Sequence, residues 1–326
     1  MHIDHPNEYQ AAQFRKEGER LEIRKVKWVD PAQGEVVIKV LACGVDSTDY
    51  ISQRRLIDDD AQKFPVTPSQ VVVGDIEAVG GNSEWKRGQR VGAIMRNGGM
   101  QEYCRVDARD LVEIEQDLNP GEAVVLVFNG SKLAQSYRNN VAAKEELVVL
   151  HGIGGYARLG INLYKQAYEH ANVALVTTDR KSSANDYGLQ EEQFLRIGER
   201  DVGAALRKMG GARCVICVDP PQRQCGDLIK GCLDDARFVL LTPAERDLQI
   251  PLGEMVQRGI SFCGSPYARR EVMNETLRLA REKGVRVEVE RFPFTETGVR
   301  AAWDQMEKEK RWGAPVVEFG RQEKDK

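Results

Sequence analysis

From the start of the chain to about residue 125, apolar and polar positions alternate in short runs separated by turn residues: GEVVIKVLAC, PSQVVVGDIEAVG, GQRVGAIM and GGMQEYCRVD. A period of two in short segments predicts β-strands. From about 126 to 263 the pattern changes to apolar runs followed by helical periodicity. The runs are LVVLHG, VALVTTD, RCVICVD, ARFVLLTP and ISFCGS, with helices expected through GINLYKQAYEH and near 199–209, 223–233 and 252–258. Strand–helix alternation predicts a parallel sheet covered on both faces. The C-terminal part reads as a helix, REVMNETLRLAREKG, closed by Gly284, then the strand VRVEVERF, the helix TGVRAAWDQMEKEK and the strand PVVEFG. The tail RQEKDK reads as frayed, and no internal repeat or low-complexity linker interrupts the chain.

At 326 residues, two domains or one enlarged α/β domain is expected. Hydrophobic residues make 41% and charged residues 30%, the balance of a globular protein. The net charge is −3 with both signs interspersed, so no basic face is built for nucleic acid or an anionic membrane surface. The N-terminus, MHIDHPNEYQ, lacks the basic start and apolar run of a signal peptide, and no apolar stretch has the length of a membrane span. A cytoplasmic location is expected. Seven cysteines, an odd number in a long chain, read as reduced thiols. Cys214 and Cys217 have metal-binding spacing, but within the strand CVICVD residues three apart point to opposite faces, so buried structural thiols are expected.

Strand Leu147–Leu150 runs through His151 into Gly152-Ile153-Gly154-Gly155-Tyr156-Ala157 and then an amphipathic helix. Gly152 permits a tight turn, Gly154 and Gly155 let backbone approach a pyrophosphate, and the helix N-terminus supplies N–H donors. The alternative is simple β–α connection chemistry. Next to the second parallel strand stands Val176-Thr177-Thr178-Asp179-Arg180-Lys181. Thr177 falls about where an NAD site carries an acid and cannot play that part, whereas the hydroxyls of Thr177 and Thr178 with the cations Arg180 and Lys181 suit a 2′-phosphate. NADPH is therefore the expected cofactor, with NADH as the alternative. Asp179 argues the other way, and a solvated loop of mixed charge would read the same.

The β-rich first part, the glycine turn and the return to the first unit resemble the medium-chain dehydrogenase/reductase superfamily. So do Leu41 to Asp49, Gly74-Asp75-Ile76-Glu77-Ala78-Val79-Gly80, Lys86-Arg87-Gly88-Gln89-Arg90-Val91 and Gly98-Gly99-Met100-Gln101-Glu102-Tyr103. The resemblance implies a GroES-like β-rich catalytic domain, residues 1–125 and 264–326, and a Rossmann domain with a doubly wound parallel sheet, residues 126–263. It also implies a nicotinamide cofactor, a substrate cleft between the domains, and a homodimer formed through the last Rossmann strand near 260–263.

In zinc-dependent members of that superfamily, catalytic ligands fall where this chain has Asp46, Ser69-Gln70-Val71 and the neighbourhood of Phe128. The four-cysteine lobe of the structural zinc would follow residue 95, where Met95-Arg96-Asn97-Gly98 runs straight on. No zinc, catalytic or structural, is therefore expected. Gly44-Val45-Asp46-Ser47-Thr48-Asp49 resembles the zinc-free branch of quinone oxidoreductases and enoyl reductases, with a charged Asp46 in place of the usual asparagine.

Without a Lewis acid, hydride addition to an alkene or quinone that is already polarised depends mainly on positioning. Electron-poor C=N acceptors satisfy the same physics. The catalytic candidates are Thr48, a hydroxyl relay or turn cap; Asp46, an orienting group or turn cap; and Lys132, an acid or anion contact if it is not solvated. Tyr50, Gln70, Phe128, Asn129 and Tyr267 are the candidate pocket, with Trp312 a further candidate aromatic wall, and core packing is the plain alternative for the aromatic residues. Asp49 reads as a helix N-terminal acid. The expected function is zinc-independent reduction of an activated double bond of a small molecule, in a general or a specialised biosynthetic step. A nucleotide-binding pseudoenzyme or regulatory scaffold of the same fold is the alternative.

Overall fold

The computed structural model describes residues 5–16, 19–47, 49, 64–141, 143–221, 224–243, 248–307 and 313–320. Thr48, Tyr50 and Trp312 lie outside them. A two-stranded ribbon, β1 (Glu8–Gln13) and β2 (Glu22–Lys27), opens the chain. A mixed seven-stranded sheet follows, made of β3 (Glu35–Gly44), β4 (Val71–Val79), β5 (Arg90–Ile94), β6 (Tyr103–Asp107) and β7 (Leu111–Glu113). Its remaining strands, β14 (Val289–Pro293) and β15 (Ala314–Glu318), come from the far end of the chain, and β15 pairs antiparallel with β3.

The second sheet is wholly parallel: β8 (Leu147–His151), β9 (Val173–Thr177), β10 (Phe194–Arg196), β11 (Ala212–Cys217), β12 (Cys232–Leu240) and β13 (Ser261–Gly264). Every residue of β8 and β9 is buried, which is why these strands read as unbroken apolar runs. The spatial order β10-β9-β8-β11-β12-β13 is the doubly wound one, with direction reversing between β8 and β11. Cys214 packs into the core on one face of the sheet and Cys217 into the core on the other, as the strand reading required.

Helices α1 (Pro120–Val125) and α2 (Ser131–Asn140) join the sheets, with a π-helical turn, Leu126–Gly130, between them. The others are α3 (Gly154–Asn162), α4 (Val202–Lys208), α5 (Cys225–Lys230), α6 (Leu252–Gln257), α7 (Arg270–Lys283) and α8 (Glu296–Asp304). α7 buries Val272, Met273, Thr276 and Ala280 along one stripe and ends at Gly284, whose φ of 65° suits a residue without a Cβ.

Three boundaries differ from the sequence pattern. The helix expected near 223–233 stops at Lys230, because Gly231 caps it and Cys232 already begins β12. The helix expected near 199–209 starts later, where the Asp201 side chain accepts from Ala204 N–H. The strand expected across VRVEVERF begins only at Val289. Among the described residues no helix is long and apolar enough to cross a membrane.

Candidate active site

The switch between β8 and β11 places the glycine turn beside the segment that follows β11. A Cβ on Gly152, whose φ is 153°, would meet Val218 Cγ2 at 2.3 Å and Asp219 Oδ2 at 3.0 Å, so only glycine fits. Asp219 Oδ2 accepts from Ile153 N–H at 2.9 Å, and the Tyr187 hydroxyl accepts from Gly154 N–H at 3.2 Å. Ile153, the residue at the helix cap, gives α3 no side-chain hydrogen bond. The uncapped helix start and the glycine turn fit the pyrophosphate of a dinucleotide. The Asp219 carboxylate on Ile153 N–H and the Tyr187 hydroxyl on Gly154 N–H compete with an anion there.

A cleft opens at this turn. It is lined by Ile153, Gly155 and Tyr156 from the turn and α3, by Asp46, Asn129, Asp219 and Thr242, and by Glu288, Ala314 and Pro315. The structure thus brings together Asp46, Asn129, Ile153, Gly155 and Tyr156 from the sequence candidates, while Gly152, Gly154 and Ala157 shape the turn. Burial and the Asp46 charge both push the Tyr156 phenol well up. Its hydroxyl is buried beside Asn129 but makes no hydrogen bond of sound geometry. His151 Nδ1–H donates to the Asp219 carbonyl at 2.9 Å, leaving Nε2 buried without a partner. Burial holds the ring's pKa down and keeps it neutral.

Asp46 sits in the loop after β3, and Asp49 shapes that loop. Asp49 Oδ2 accepts from Asp46 N–H at 3.1 Å, and Oδ1 accepts from Ser69 N–H at 3.0 Å. Asp49 therefore serves the helical turn that begins at Ser47, reaching back to the N–H three residues before it, and also ties that turn to the loop at Ser69. Burial and the neighbouring Asp46 raise its carboxyl well above the usual range.

Next to Asp46 lies a second group of candidates. Lys132 begins the first turn of α2; its Nζ is buried and donates to the Leu241 carbonyl at 2.6 Å. The ammonium lies 5.4 Å from the Phe128 ring centre and 5.5 Å from that of Tyr267. The Tyr267 hydroxyl donates to Gln70 Oε1. Burial lowers the Lys132 pKa while the Asp46 charge opposes the shift, and burial with Asp46 pushes Tyr267 up to about 12.

These residues also test the metal that the resemblance raises. Asp46 offers an anionic ligand; the Gln70 carbonyl is held by Tyr267, and Phe128 offers none. Zinc needs several N, S or carboxylate ligands converging, and among the described residues no three His, Cys, Asp or Glu side chains do so. The donor set does not fit catalytic zinc.

At the end of β9, Thr178, Arg180 and Lys181 are exposed, as a 2′-phosphate contact requires. Thr177 is different: its side chain is fully buried, and its Oγ1 accepts from Asp179 N–H at 3.1 Å. It holds the turn and does not face a ligand. The sequence reading missed Asp219, Thr242 and Glu288. Asp219 carried a usable signal, since it follows the fourth parallel strand at its carboxyl end; the other two reach the cleft only through tertiary packing.

The alcohol dehydrogenase GroES-like domain matches residues 32–116. The alcohol dehydrogenase patD of Penicillium expansum is 25% identical over 320 residues, covering 89% of this chain and 92% of that protein. An alcohol dehydrogenase of Geobacillus stearothermophilus is 27% identical over 330 residues, covering 92% and 96%. Among solved structures, the E. coli CFT073 alcohol dehydrogenase rspB, in complex with NADH, superposes with a TM-score of 0.80 at 18% identity, covering 96% and 100%. A GroES-like domain match joined to a doubly wound parallel sheet, with alcohol dehydrogenase relatives aligned over about nine tenths of the chain, supports the medium-chain dehydrogenase/reductase superfamily, the oxidoreductases that include the alcohol dehydrogenases.

Proposed function

We propose that this protein is a zinc-independent, NAD(P)H-dependent reductase, with NADPH preferred, that adds hydride to an activated double bond of a small molecule such as an enone, enal or quinone. The observation that carries the reading is the donor set at the three positions where the superfamily places catalytic zinc. A carboxylate, an amide engaged by Tyr267 and a phenyl ring stand there. A reaction that needs no Lewis acid suits such a cleft.

A bound nicotinamide supplies the hydride. The chain's own residues do the rest. The turn from Gly152 to Gly155 and the start of α3 hold the pyrophosphate, and Arg180 and Lys181 meet the 2′-phosphate. Asn129 and Gln70 are placed to orient an oxygen of the acceptor. Support for a nicotinamide cofactor comes from the NADH-bound structural neighbour. The test is NADPH fluorescence titration, then turnover of an acceptor panel with the metal content of the sample measured.

A second reading, a nucleotide-binding scaffold without turnover, is favoured by one observation. Ile153 N–H and Gly154 N–H are both engaged, by Asp219 and Tyr187. Failure of NADPH and NADH to bind, with binding restored in Asp219→Asn, would select it.

A homodimer belongs to the same proposal. β13 is the last strand of the parallel sheet, and Leu252 and Val256 on the preceding helix α6 are strongly exposed. Light scattering after size exclusion gives the mass: twice the chain mass supports the dimer, and the monomer mass refutes it.

A further inference from the structure

The geometry points to the Lys132 ammonium, buried beside the cleft, as the electrophilic group of the site, which donates a hydrogen bond to the carbonyl oxygen of an α,β-unsaturated aldehyde or ketone. The inference rests on the proposed reductase reading and narrows its substrate class.

Lys132 Nζ lies among the residues that replace the superfamily's ligand positions: the Phe128 ring is 5.4 Å away, the Tyr267 ring that holds Gln70 is 5.5 Å away, and Asp46 is near enough for its charge to act on the ammonium. A cation supplied by the chain thus stands among residues that cannot hold a metal ion. An ammonium has three N–H donors, and one is spent on the Leu241 carbonyl at 2.6 Å. Two ring faces border the ammonium, and its chain neighbours reach the cleft: Asn129, three residues before Lys132, and Thr242, next to Leu241, both line it. Tyr267, whose ring lies against the ammonium, is 41% exposed, while Lys132 itself is 5% exposed, so a small molecule reaches Nζ past that ring.

The chemistry that gains from this cation is conjugate reduction. With a bound dihydronicotinamide as the hydride source, a C–H bond would form at the β-carbon, the alkene pair would move to the α-carbon–carbonyl bond, and the carbonyl pair would move onto the oxygen that Lys132 holds. The oxygen takes a proton from Lys132, which recovers one from water. The enol then loses that O–H proton to water as its α-carbon gains one. The substrate is reduced by two electrons and the nicotinamide is oxidised by two. A buried charged donor strengthens as negative charge grows on the oxygen, because little water screens it. The same cation repels an iminium acceptor, so electron-poor C=N substrates are disfavoured.

Cinnamaldehyde as acceptor and cinnamate as a stand-in for the oxyanion test this. Lys132→Met keeps an apolar core of similar length, and Lys132→Arg keeps the charge. The expected result for Lys132→Met is a fall in kcat of about 100-fold or more, as when an oxyanion donor is removed. NADPH affinity stays within about twofold, Lys132→Arg keeps at least about a tenth of the wild-type kcat, and cinnamate affinity measured by calorimetry falls about tenfold or more in Lys132→Met. A kcat within threefold of wild type, or equal cinnamate binding, overturns the inference. If the wild-type protein binds NADPH but reduces no acceptor, the proposed reductase activity fails and the cinnamate comparison alone decides the role of Lys132. No cinnamate binding to the wild type then overturns it as well.

Discussion

The Tyr267 hydroxyl donates to the Gln70 side chain across 197 residues of sequence, tying the segment after the parallel sheet to the loop before β4. The contact fixes the ring that lies against Lys132 and engages the side-chain oxygen of Gln70. Tyr267→Phe removes the donor and leaves a buried acceptor short of a partner, a cost of about 1–2 kcal/mol. The melting temperature is expected to fall by roughly 2–4 °C and kcat to fall several-fold, with NADPH affinity unchanged. An unaltered kcat in that variant would show that the ring is only packing.

Gly152 is the tightest point of the cofactor turn. Gly152→Ala forces a methyl group to within 2.3 Å of Val218 Cγ2, and the strand behind it cannot retreat. The variant is expected to lose about 2 kcal/mol of stability and more than tenfold in NADPH affinity, by chemical denaturation and fluorescence titration. Wild-type binding in this variant would move the cofactor away from the turn.

The preference for NADPH rests on Arg180 and Lys181. Replacing both by alanine is expected to raise the NADPH dissociation constant about tenfold or more, by loss of charge-assisted bonds, and to leave that for NADH within twofold. Equal losses for both cofactors would mean that these cations do not meet a 2′-phosphate.

The thiols are expected to be inert in the native protein. Burial pushes Cys104, Cys214 and Cys232 up to about 12 and Cys225 up to about 11, so near pH 8 the reactive thiolate is present at less than about one part in a thousand. Raising the pH increases the thiolate, so reactivity grows toward alkaline pH. A disulfide-exchange reagent at pH 8 should modify half-buried Cys263 first, and all seven cysteines only after denaturation. Rapid native reaction at Cys214 and Cys217 would contradict their burial on opposite faces of β11.

Much of this was legible because local rules and the fold agree. The apolar runs of β8 and β9 announced strands covered on both faces, and Gly152 to Gly155 announced the cofactor turn. Asp46, Gln70, Phe128, Lys132 and Tyr267 could each be named from the sequence, but not their arrangement. The Lys132–Leu241 bond spans 109 residues and depends on how α2 leaves the π-helical turn, which no periodicity encodes. Thr177 was misplaced for a related reason, because the outward or inward aim of a strand's last residue depends on pleat and not on residue type. Asp219 and Glu288 enter the cleft from elements whose relative placement is set by the packing of both sheets.

The most direct test of zinc-free hydride transfer is steady-state oxidation of NADPH in the presence of cinnamaldehyde or a small quinone, on protein purified with a chelator and assayed for zinc. Turnover with far less than one zinc per chain, unchanged by added zinc, is the predicted result. Turnover that appears only when zinc is restored, or acceptor-independent silence despite tight NADPH binding, would contradict the account.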